Sequence, residues 1–180
     1  MSSKTIAEIL PDDPNFVVID LETTSLPDSD PGNVGIVQIA IVSGTEQVLL
    51  AARCRPENCR WSDYATEVHG ISMDSKLPSE ETILGLAQIY LEGKKVGVYN
   101  ADFDIPILEA RGKFKVPDVF DILPLYAEWR GEWSTKHQDY RFQKLPRLCS
   151  LPAHDAVADA ISTVRALKRV NGQLDNLLDW

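Results

Sequence analysis

Two carboxylates follow directly on a run of apolar residues near the start of the sequence. Residues 16–19 read Phe-Val-Val-Ile, and Asp20 and Glu22 come after them. The run predicts a strand buried on both faces, and side chains two positions apart on a strand point to the same side. Like charges held this close need a cation between them, and hard divalent ions prefer oxygen ligands. The pair therefore predicts a metal site, unless the strand ends at Ile19 and both acids lie in a solvated turn.

A second acidic group, Asn100 to Asp104, follows a short apolar stretch at 95–99 and opens a predicted helix. Ligand sites in open α/β sheets lie beyond the carboxyl ends of the strands. This group is therefore expected beside the first pair of carboxylates. Helix capping is the competing interpretation because Asn and Asp are common at helix starts. Capping accounts for one of the two acids, Asp102 or Asp104, more easily than for both.

A third group combines His154 with Asp159. Asp159 lies between Ala156 and Ala160 on the apolar side of a predicted helix, where a carboxylate without a partner is costly. A metal ion or a buried partner is therefore expected there. His154 precedes this acid by one and a half helical turns, and an imidazole can accept a proton near neutral pH. A lone histidine is more often a surface or core residue, and that alternative stays open.

The elements that must position these groups follow from apolar periodicity and turn residues. Strands at residues 16–22, 34–42 and 46–52, separated by a loop at 25–33 and a turn at 43–45, predict an antiparallel meander. The alternation of strand and helix that follows predicts parallel pairs with helices on both faces, an α/β fold. By length, residues 1–180 form one domain. Later elements are predicted as a strand at 95–99 and helices at 63–69, 79–93, 102–111, 118–130, 140–149 and 154–172, with a polar link at 131–139 and a short helix or frayed end at 173–180.

Composition limits the classes of function. The sequence has no apolar run long enough for a signal peptide or a membrane span, so a cytoplasmic protein is expected, and its three cysteines lack zinc-site spacing and are interpreted as free thiols. A net charge of −9 argues against tight binding of nucleic acid. Residues 111–147 nevertheless carry a net charge of +3, which leaves −12 elsewhere. This stretch is either a solvated face or a binding surface, with Lys136, Arg141, Lys144 and Arg147 as candidate phosphate contacts.

Together the three groups resemble the DEDDh subgroup of the DnaQ-like 3′-to-5′ exonucleases. The resemblance rests on Asp-Leu-Glu-Thr-Thr-Ser-Leu at 20–26, Asn-Ala-Asp-Phe-Asp at 100–104, and His-x-Ala-x-x-Asp-Ala at 154–160, with Val-His-Gly-Ile at 68–71 as a further match. It implies an RNase H-like mixed sheet flanked by helices. It also implies two Mg²⁺ or Mn²⁺ ions and a histidine general base. The implied metal ligands are Asp20, Glu22, Asp104 and Asp159, and the implied base is His154.

The resemblance also implies a pocket for the nucleotide at the 3′ end. Leu26 matches the apolar residue that wedges against the terminal base, and Thr23 would offer its amide or hydroxyl to the terminal sugar. His69 is expected to line the same pocket. The implied substrate-binding residues are Thr23, Leu26, His69, Asn100 and Phe103.

The sequence departs from the family pattern in a few places. Ser25 occupies a position where family members often have Gly, which affects the loop that meets the terminal nucleotide. Asp102 and Asp155 are additional acids next to the matched ones, and both are interpreted as helix caps. Asp104 is taken as the matched acid because it follows Phe103.

The implied activity is the release of nucleoside 5′-monophosphates from single-stranded 3′ ends. DNA is the first choice of substrate, and RNA or very short oligoribonucleotides are the alternative. A phosphatase with two acids after its strand is disfavoured by Glu22 and by the His154 and Asp159 pair. A nuclease-like binding module is disfavoured because all five matched residues are present. A polymerase or another protein is a further candidate partner.

Overall fold

The computed structural model describes residues 11–26, 30–116, 118–152 and 154–173. Within them, a five-stranded sheet is covered by helices on both faces. The strands of this sheet are β1 (Phe16–Thr23), β2 (Ile36–Ser43), β3 (Val48–Arg53), β4 (Lys95–Val98) and β5 (Val119–Asp121). The helices are α1 (Asp63–His69), α2 (Glu80–Leu91), α3 (Ala101–Gly112), α4 (Ile122–Arg130) and α5 (Ala156–Val170), and a separate two-stranded hairpin comprises β6 (Trp133–Ser134) and β7 (Asp139–Tyr140).

The sheet is mixed, with the strand order β3-β2-β1-β4-β5. The first three strands form an antiparallel meander, whereas β1 with β4 and β4 with β5 are parallel pairs. The carboxyl ends of β1, β4 and β5 therefore meet at one edge of the sheet. The predicted α/β class, an RNase H-like mixed sheet flanked by helices, is confirmed.

Alternation along β1 assigns its side chains to two separate cores. Val17, Ile19 and Leu21 belong to the core that includes residues of α2 and α3. Phe16 and Val18 belong to the core that includes α4 and α5. Because side chains alternate along a strand, the carboxylates of β1 at positions 20 and 22 lie on the α5 side.

Most predicted boundaries agree with the structure to within a few residues. α1 ends where expected, at Gly70 in the left-handed conformation, and the Ser79 hydroxyl accepts a hydrogen bond from the Thr82 amide at the start of α2. The predicted helix from His154 is shorter, since α5 begins at Ala156.

The predicted helix over 118–130 is wrong in its first part. Residues 119–121 form β5, which pairs with the free edge of β4 through Val96 with Val119 and Val98 with Asp121. An available strand edge outweighs the local helical pattern because β-branched and aromatic residues pack well there. The helix α4 begins only at Ile122. The Asp121 carboxylate accepts a hydrogen bond from the Leu123 amide at its start.

The predicted helix over 140–149 is also wrong. Tyr140 ends β7, and residues 141–148 have no regular structure. Pro146 lacks an amide donor and disfavours a helical conformation of the residue before it, which weakens the local helical pattern. The predicted polar link at 131–139 contains the hairpin instead.

Three further expectations concern the end of the chain, membrane spans and the cysteines. The short helix or frayed end expected at 173–180 lies almost wholly outside the described residues. Among the helices of the described chain, none is both long and apolar enough to cross a bilayer. All three cysteines are free thiols, as expected.

Candidate active site

β1 presents two carboxylates at its carboxyl end. Glu22 is buried and Asp20 is half-buried, and both lie on the α5 face of the sheet. The pairing register between β1 and β2 shifts after Glu22, so regular alternation ends at Thr23. The alternative in which the strand ends at Ile19 and leaves both acids in solvent is therefore wrong.

Asp104 reaches the same place from the first turn of α3. Its side chain is only 4% exposed. The start of α3 is fixed by Asp121, whose carboxylate accepts hydrogen bonds from the Asn100 amide at 3.0 Å and the Ala101 amide at 3.1 Å. Asn100 itself adopts a left-handed conformation, with φ of 73°. Asp121 thus ends β5 and orients the helix that carries Asp104.

Asp102 does not act as a helix cap. It lies exposed in the first turn of α3, the cap position is Asn100, and the carboxylate that binds the amides there belongs to Asp121. The cap interpretation is correct for Asp155, which accepts hydrogen bonds from the Val157 and Ala158 amides.

α5 brings His154 and Asp159 to the carboxylates of β1. A second contact holds Asp155 in place, because the buried Gln38 of β2 donates to its carboxylate at 3.0 Å. One ligand atom each of Glu22, His154 and Asp159 lies within 4.8 Å of the others. His154 is exposed and has a φ of 58°, so its ring lies at the open side of this group.

The carboxylates raise one another's pKa values. Burial raises the pKa of Asp20 well above its usual range, with Asp104, Asp159 and Glu22 adding like charge. Burial, with Asp159 next in effect, raises the pKa of Glu22 to about 8. Burial likewise raises the pKa of Asp104, and a hydrogen bond to the Leu21 backbone opposes the rise.

The charge of this cluster suits a divalent cation. The pKa of Asp159 is raised by burial, although the neighbouring His154 partly offsets it. Carboxylate oxygens suit a hard divalent ion, and its positive charge would favour the ionised form of each carboxylate. Glu22 and Asp159 could therefore hold a metal ion, with Asp20 and Asp104 beside them and His154 at the open side.

These groups line a cavity of about 580 Å³. The aromatic rings of Tyr64 and Phe103 contribute apolar walls, and Lys144 and Arg147 contribute positive charge. Asn100 and Phe103 lie in the wall of this cavity. The acids and the histidine in the wall are Asp20, Glu22, Asp104, His154 and Asp159.

Thr23, Leu26 and His69 form a separate group next to this cavity rather than part of its wall. His69 was expected to line the pocket, but α1 supplies Tyr64 and Val68 instead. The His69 ring accepts from the Ile71 amide at Nδ1, so its other nitrogen donates to the Thr23 carbonyl at 3.2 Å. Burial lowers the pKa of His69, which favours this neutral tautomer.

The loop after β1 is fixed by a residue that the sequence did not indicate. The Thr23 hydroxyl donates to the Ser25 carbonyl at 3.0 Å, and Arg60 donates to the Leu26 carbonyl at 2.7 Å and to the Ser25 hydroxyl at 3.3 Å. Leu26 remains 61% exposed. The hydrogen bonds from Arg60 therefore fix the backbone of the loop, while the Leu26 side chain remains exposed to solvent.

Three supporting residues were missed in the sequence: Gln38, Arg60 and Asp121. Asp121 had a usable signal, because it follows Val119 and Phe120 in the same strand-then-acid pattern as Asp20. The predicted helix over 118–130 concealed this pattern. Gln38 and Arg60 carry no local signal, since they act on residues 117 and 34 positions away.

The mixed sheet flanked by helices has the RNase H-like fold, and carboxylates gather at one edge of it. The sequence model of the RNase T family, described as "Exonuclease", matches residues 17–167. The chain belongs to this exonuclease family, and with it to the DnaQ-like group.

Solved structures with the same fold are distant in sequence. Cell-death related nuclease 4 has a TM-score of 0.62 at 15% identity, over 87% of this chain and 63% of that one. The catalytic unit of Neurospora crassa Pan2 has a TM-score of 0.61 at 17% identity, over 91% of this chain and 28% of that one. The Saccharomyces cerevisiae Pan2 module in complex with AAGGA RNA has a TM-score of 0.59 at 15% identity, over 92% and 30%. The chain thus spans less than two thirds of each of these proteins, and no curated protein sequence matches it.

Proposed function

We propose that this protein is a metal-dependent 3′-to-5′ exonuclease of the DEDDh type, acting on single-stranded ends. The observation that supports this most strongly is the convergence of carboxylates from β1, α3 and α5 on one cavity, with Glu22 and Asp104 buried, together with an exposed histidine. Residues up to 139 positions apart in sequence share this cavity. Neither core packing nor helix capping requires such a cluster of like charges.

The carboxylates are the proposed ligands of two Mg²⁺ or Mn²⁺ ions: Asp20, Glu22 and Asp159 for one, and Asp20 with Asp104 for the other. Divalent ions in such a site lower the pKa of water and offset negative charge on the phosphate. The fold of the chain determines where the carboxylates lie. Because three elements hold the carboxylates, the ligands are arranged before any substrate binds.

His154 is the proposed general base. Its ring lies with Glu22 and Asp159 at the open side of the cavity, where it can take a proton from the attacking water. The water oxygen forms a bond to phosphorus while the bond from phosphorus to the 3′ oxygen breaks. The products are a nucleoside 5′-monophosphate and a strand that is shorter by one nucleotide with a free 3′ hydroxyl.

The surroundings of the cavity favour an unpaired end. Leu26 can insert beside the terminal base, and Tyr64 and Phe103 offer apolar faces that suit any base. Thr23 can still offer its amide to the terminal sugar, whereas its hydroxyl already donates within the loop. Thr23, Leu26, Asn100 and Phe103 are therefore the proposed contacts to the terminal nucleotide, with His69 supporting Thr23.

DNA is the proposed substrate, and RNA is the second candidate. The RNA alternative has specific support, since the yeast Pan2 module of similar fold was solved in complex with AAGGA RNA. The two substrates differ by the 2′ hydroxyl, which a protein reads through contacts at the sugar. Thr23 is the described residue proposed to lie closest to that sugar.

The test uses DNA and RNA strands of one sequence, labelled at the 5′ end, with Mg²⁺ or Mn²⁺. Progressive shortening of the labelled strand is expected, and a 3′-terminal phosphorothioate should slow it. His154→Ala is expected to lower kcat by about 100- to 10,000-fold, the range of a general base. Asp104→Asn should inactivate the enzyme, and Asp102→Asn, an exposed acid on the same helical turn, is the matched control.

Three results would contradict the proposal. They are activity that persists in EDTA, release of the 5′ label as the first product, and a loss in Asp102→Asn as large as in Asp104→Asn. The ratio of kcat/KM for the DNA and RNA strands assigns the substrate.

A further inference from the structure

The hairpin of residues 131–142, here called the aromatic hairpin, exposes three aromatic side chains. Trp133 of β6 and Tyr140 of β7 form an edge-to-face pair with ring centroids 5.3 Å apart. Trp133 is 50% exposed and Phe142, just after β7, is 66% exposed. Neighbouring exposed aromatic residues on a soluble protein indicate a binding surface more often than a passive one.

The aromatic hairpin is held against the body of the protein. The Arg141 amide donates to the Glu132 carbonyl at 2.7 Å and closes its base. The Tyr99 hydroxyl, beyond the end of β4, donates to the Gln143 carbonyl at 2.8 Å. The segment that follows the hairpin is therefore fixed beside the carboxyl ends of the strands, where the active-site cavity lies.

A second cavity borders the segment of residues 142–147 that also lines the first. It has a volume of about 600 Å³ and lies between the end of α4 and residues 141–148. Its wall includes Arg130, Glu132 and Arg141 on the hairpin side. The residues common to both cavities are Phe142, Lys144, Pro146 and Arg147.

Positive charge on the chain concentrates in the hairpin and in the segment that lines both cavities. Residues 130–147 carry a net charge of +3, which leaves −12 for the rest of the sequence. Four of their cations form no salt bridge with any residue in the described ranges; they are Lys136, Arg141, Lys144 and Arg147.

Other cations of the predicted basic stretch are used elsewhere. Arg111 forms a buried ion pair with Glu80, and Lys115 pairs with Glu109. Both pairs lie on α2 and α3 and the segment after α3, away from the hairpin. The basic surface is therefore narrower than the 111–147 predicted from the sequence.

We propose that residues 130–147 bind the single strand upstream of the nucleotide being removed, the aromatic rings stacking on bases and the cations contacting phosphates. Cations without a salt bridge, interleaved with exposed rings, suit a polyanion that also has planar faces. Single-stranded nucleic acid has both properties, whereas an acidic protein surface has only the negative charge. This inference rests on the proposed function. It adds a substrate class: strands long enough to reach the hairpin are preferred over dinucleotides.

The test compares two substrates, a single strand of about 20 nucleotides and a nitrophenyl ester of a nucleoside 5′-monophosphate that fills only the active-site cavity. Trp133→Ala is expected to raise KM for the strand by roughly 5- to 150-fold, the range for loss of one stacking contact. Its effect on the ester should be much smaller. Trp133→Tyr should restore most of the strand KM, and Tyr90→Ala, an exposed aromatic residue on α2, is the matched control.

A charge variant tests the second half of the proposal. Arg141→Gln with Lys144→Gln should reduce the salt dependence of the strand KM, since fewer counterions are released on binding. Lys113→Gln is the control.

The outcomes separate the two proposals. Absence of hydrolysis of both the strand and the ester by the unaltered protein contradicts the nuclease proposal itself. An unchanged strand KM in Trp133→Ala overturns only the hairpin inference, and would point to a protein partner for this surface. Equal losses on strand and ester also overturn it, because the hairpin would then shape the cavity instead of binding the strand.

Discussion

Arg60 is a single side chain on which the geometry of the loop after β1 depends. It donates to the Leu26 carbonyl at 2.7 Å and to the Ser25 hydroxyl at 3.3 Å. Ser25 occupies a position where family members often have Gly, and here its hydroxyl gives Arg60 a second acceptor.

Replacement of Arg60 should weaken substrate binding more than catalysis. Arg60→Ala removes charge-assisted hydrogen bonds worth about 1.5–3 kcal/mol each, so the backbone of Leu26 would no longer be held. We expect KM for a single strand to rise roughly 10-fold with little change in kcat. Steady-state kinetics on the labelled strand measure this.

Ser25→Ala is the matched control, since it keeps the stronger bond from Arg60 to the Leu26 carbonyl and should change KM only slightly. A fall in kcat with KM unchanged would show that Arg60 acts on the carboxylates and not on the loop.

At the residue scale, candidate site residues could be predicted from the sequence where a strand or a helix start lies directly beside them. Asp20 and Glu22 are recognisable because an apolar strand precedes them, and Asp104 because a strand and a helix start surround it. Gln38 and Arg60 were not predictable, since each acts through one contact to a residue distant in sequence. Such contacts depend on the folded geometry and leave no local trace.

At the scale of elements, the turn between β2 and β3 stabilises the position of α5. Glu46 in this turn accepts hydrogen bonds from Arg165 at 2.7 Å and from Lys168 at 2.9 Å. Both cations lie on α5, the helix that carries Asp159. Burial acts to raise the pKa of Glu46, but the hydrogen bonds from the two cations outweigh it and lower that pKa.

The two ion pairs of Glu46 predict that the free energy of unfolding depends on pH. Because the pKa of Glu46 is lowered by folding, its contribution is present above the ordinary Glu pKa of about 4.3 and is lost as pH falls through the lowered value. Glu46→Gln should therefore reduce the free energy of unfolding by about 1 kcal/mol at neutral pH. Below the lowered pKa the two proteins should be equally stable.

Urea denaturation at neutral and acidic pH measures the difference, with Glu128→Gln on the exposed side of α4 as control. A difference of the same size at both pH values would mean that packing, and not charge, connects the turn to α5.

The elements that the sequence misassigned are those whose structure depends on a partner. β5 forms because β4 offers a free edge, and the aromatic hairpin forms where residues 131–140 pair only with one another. The meander and α2, in contrast, have strong periodicity and local caps of their own. Periodicity therefore predicts elements with their own capping and turn signals better than elements that complete a sheet.

At the scale of the whole molecule, metal binding should be linked to global stability. The proposed ligands come from β1, α3 and α5, so the site exists only in the folded chain. A ligand that binds only the folded state at 100 times its dissociation constant stabilises it by about 2.7 kcal/mol. For a domain of this size we expect a rise in Tm of roughly 5–10 °C with saturating Mg²⁺ or Mn²⁺.

Differential scanning fluorimetry with and without EDTA measures this rise independently of activity. Asp104→Asn should reduce the response and Asp102→Asn should not. A Tm that is unaffected by either ion in the unaltered protein would contradict the proposed metal site.

The carboxylate of Asp121 binds the amides at the start of α3 and also the Leu123 amide at the start of α4. α3 carries Asp104 in its first turn, and α4 leads from the same point to Arg130 and the aromatic hairpin. α4 is therefore a rigid spacer, about 13 Å long at 1.5 Å per residue, between the cavity and the surface proposed to bind the upstream strand. A residue inserted in α4 would lengthen this spacer slightly but turn the hairpin by about 100° around the helix axis, so the phase of α4, more than its length, sets the direction from which a strand can reach the cavity.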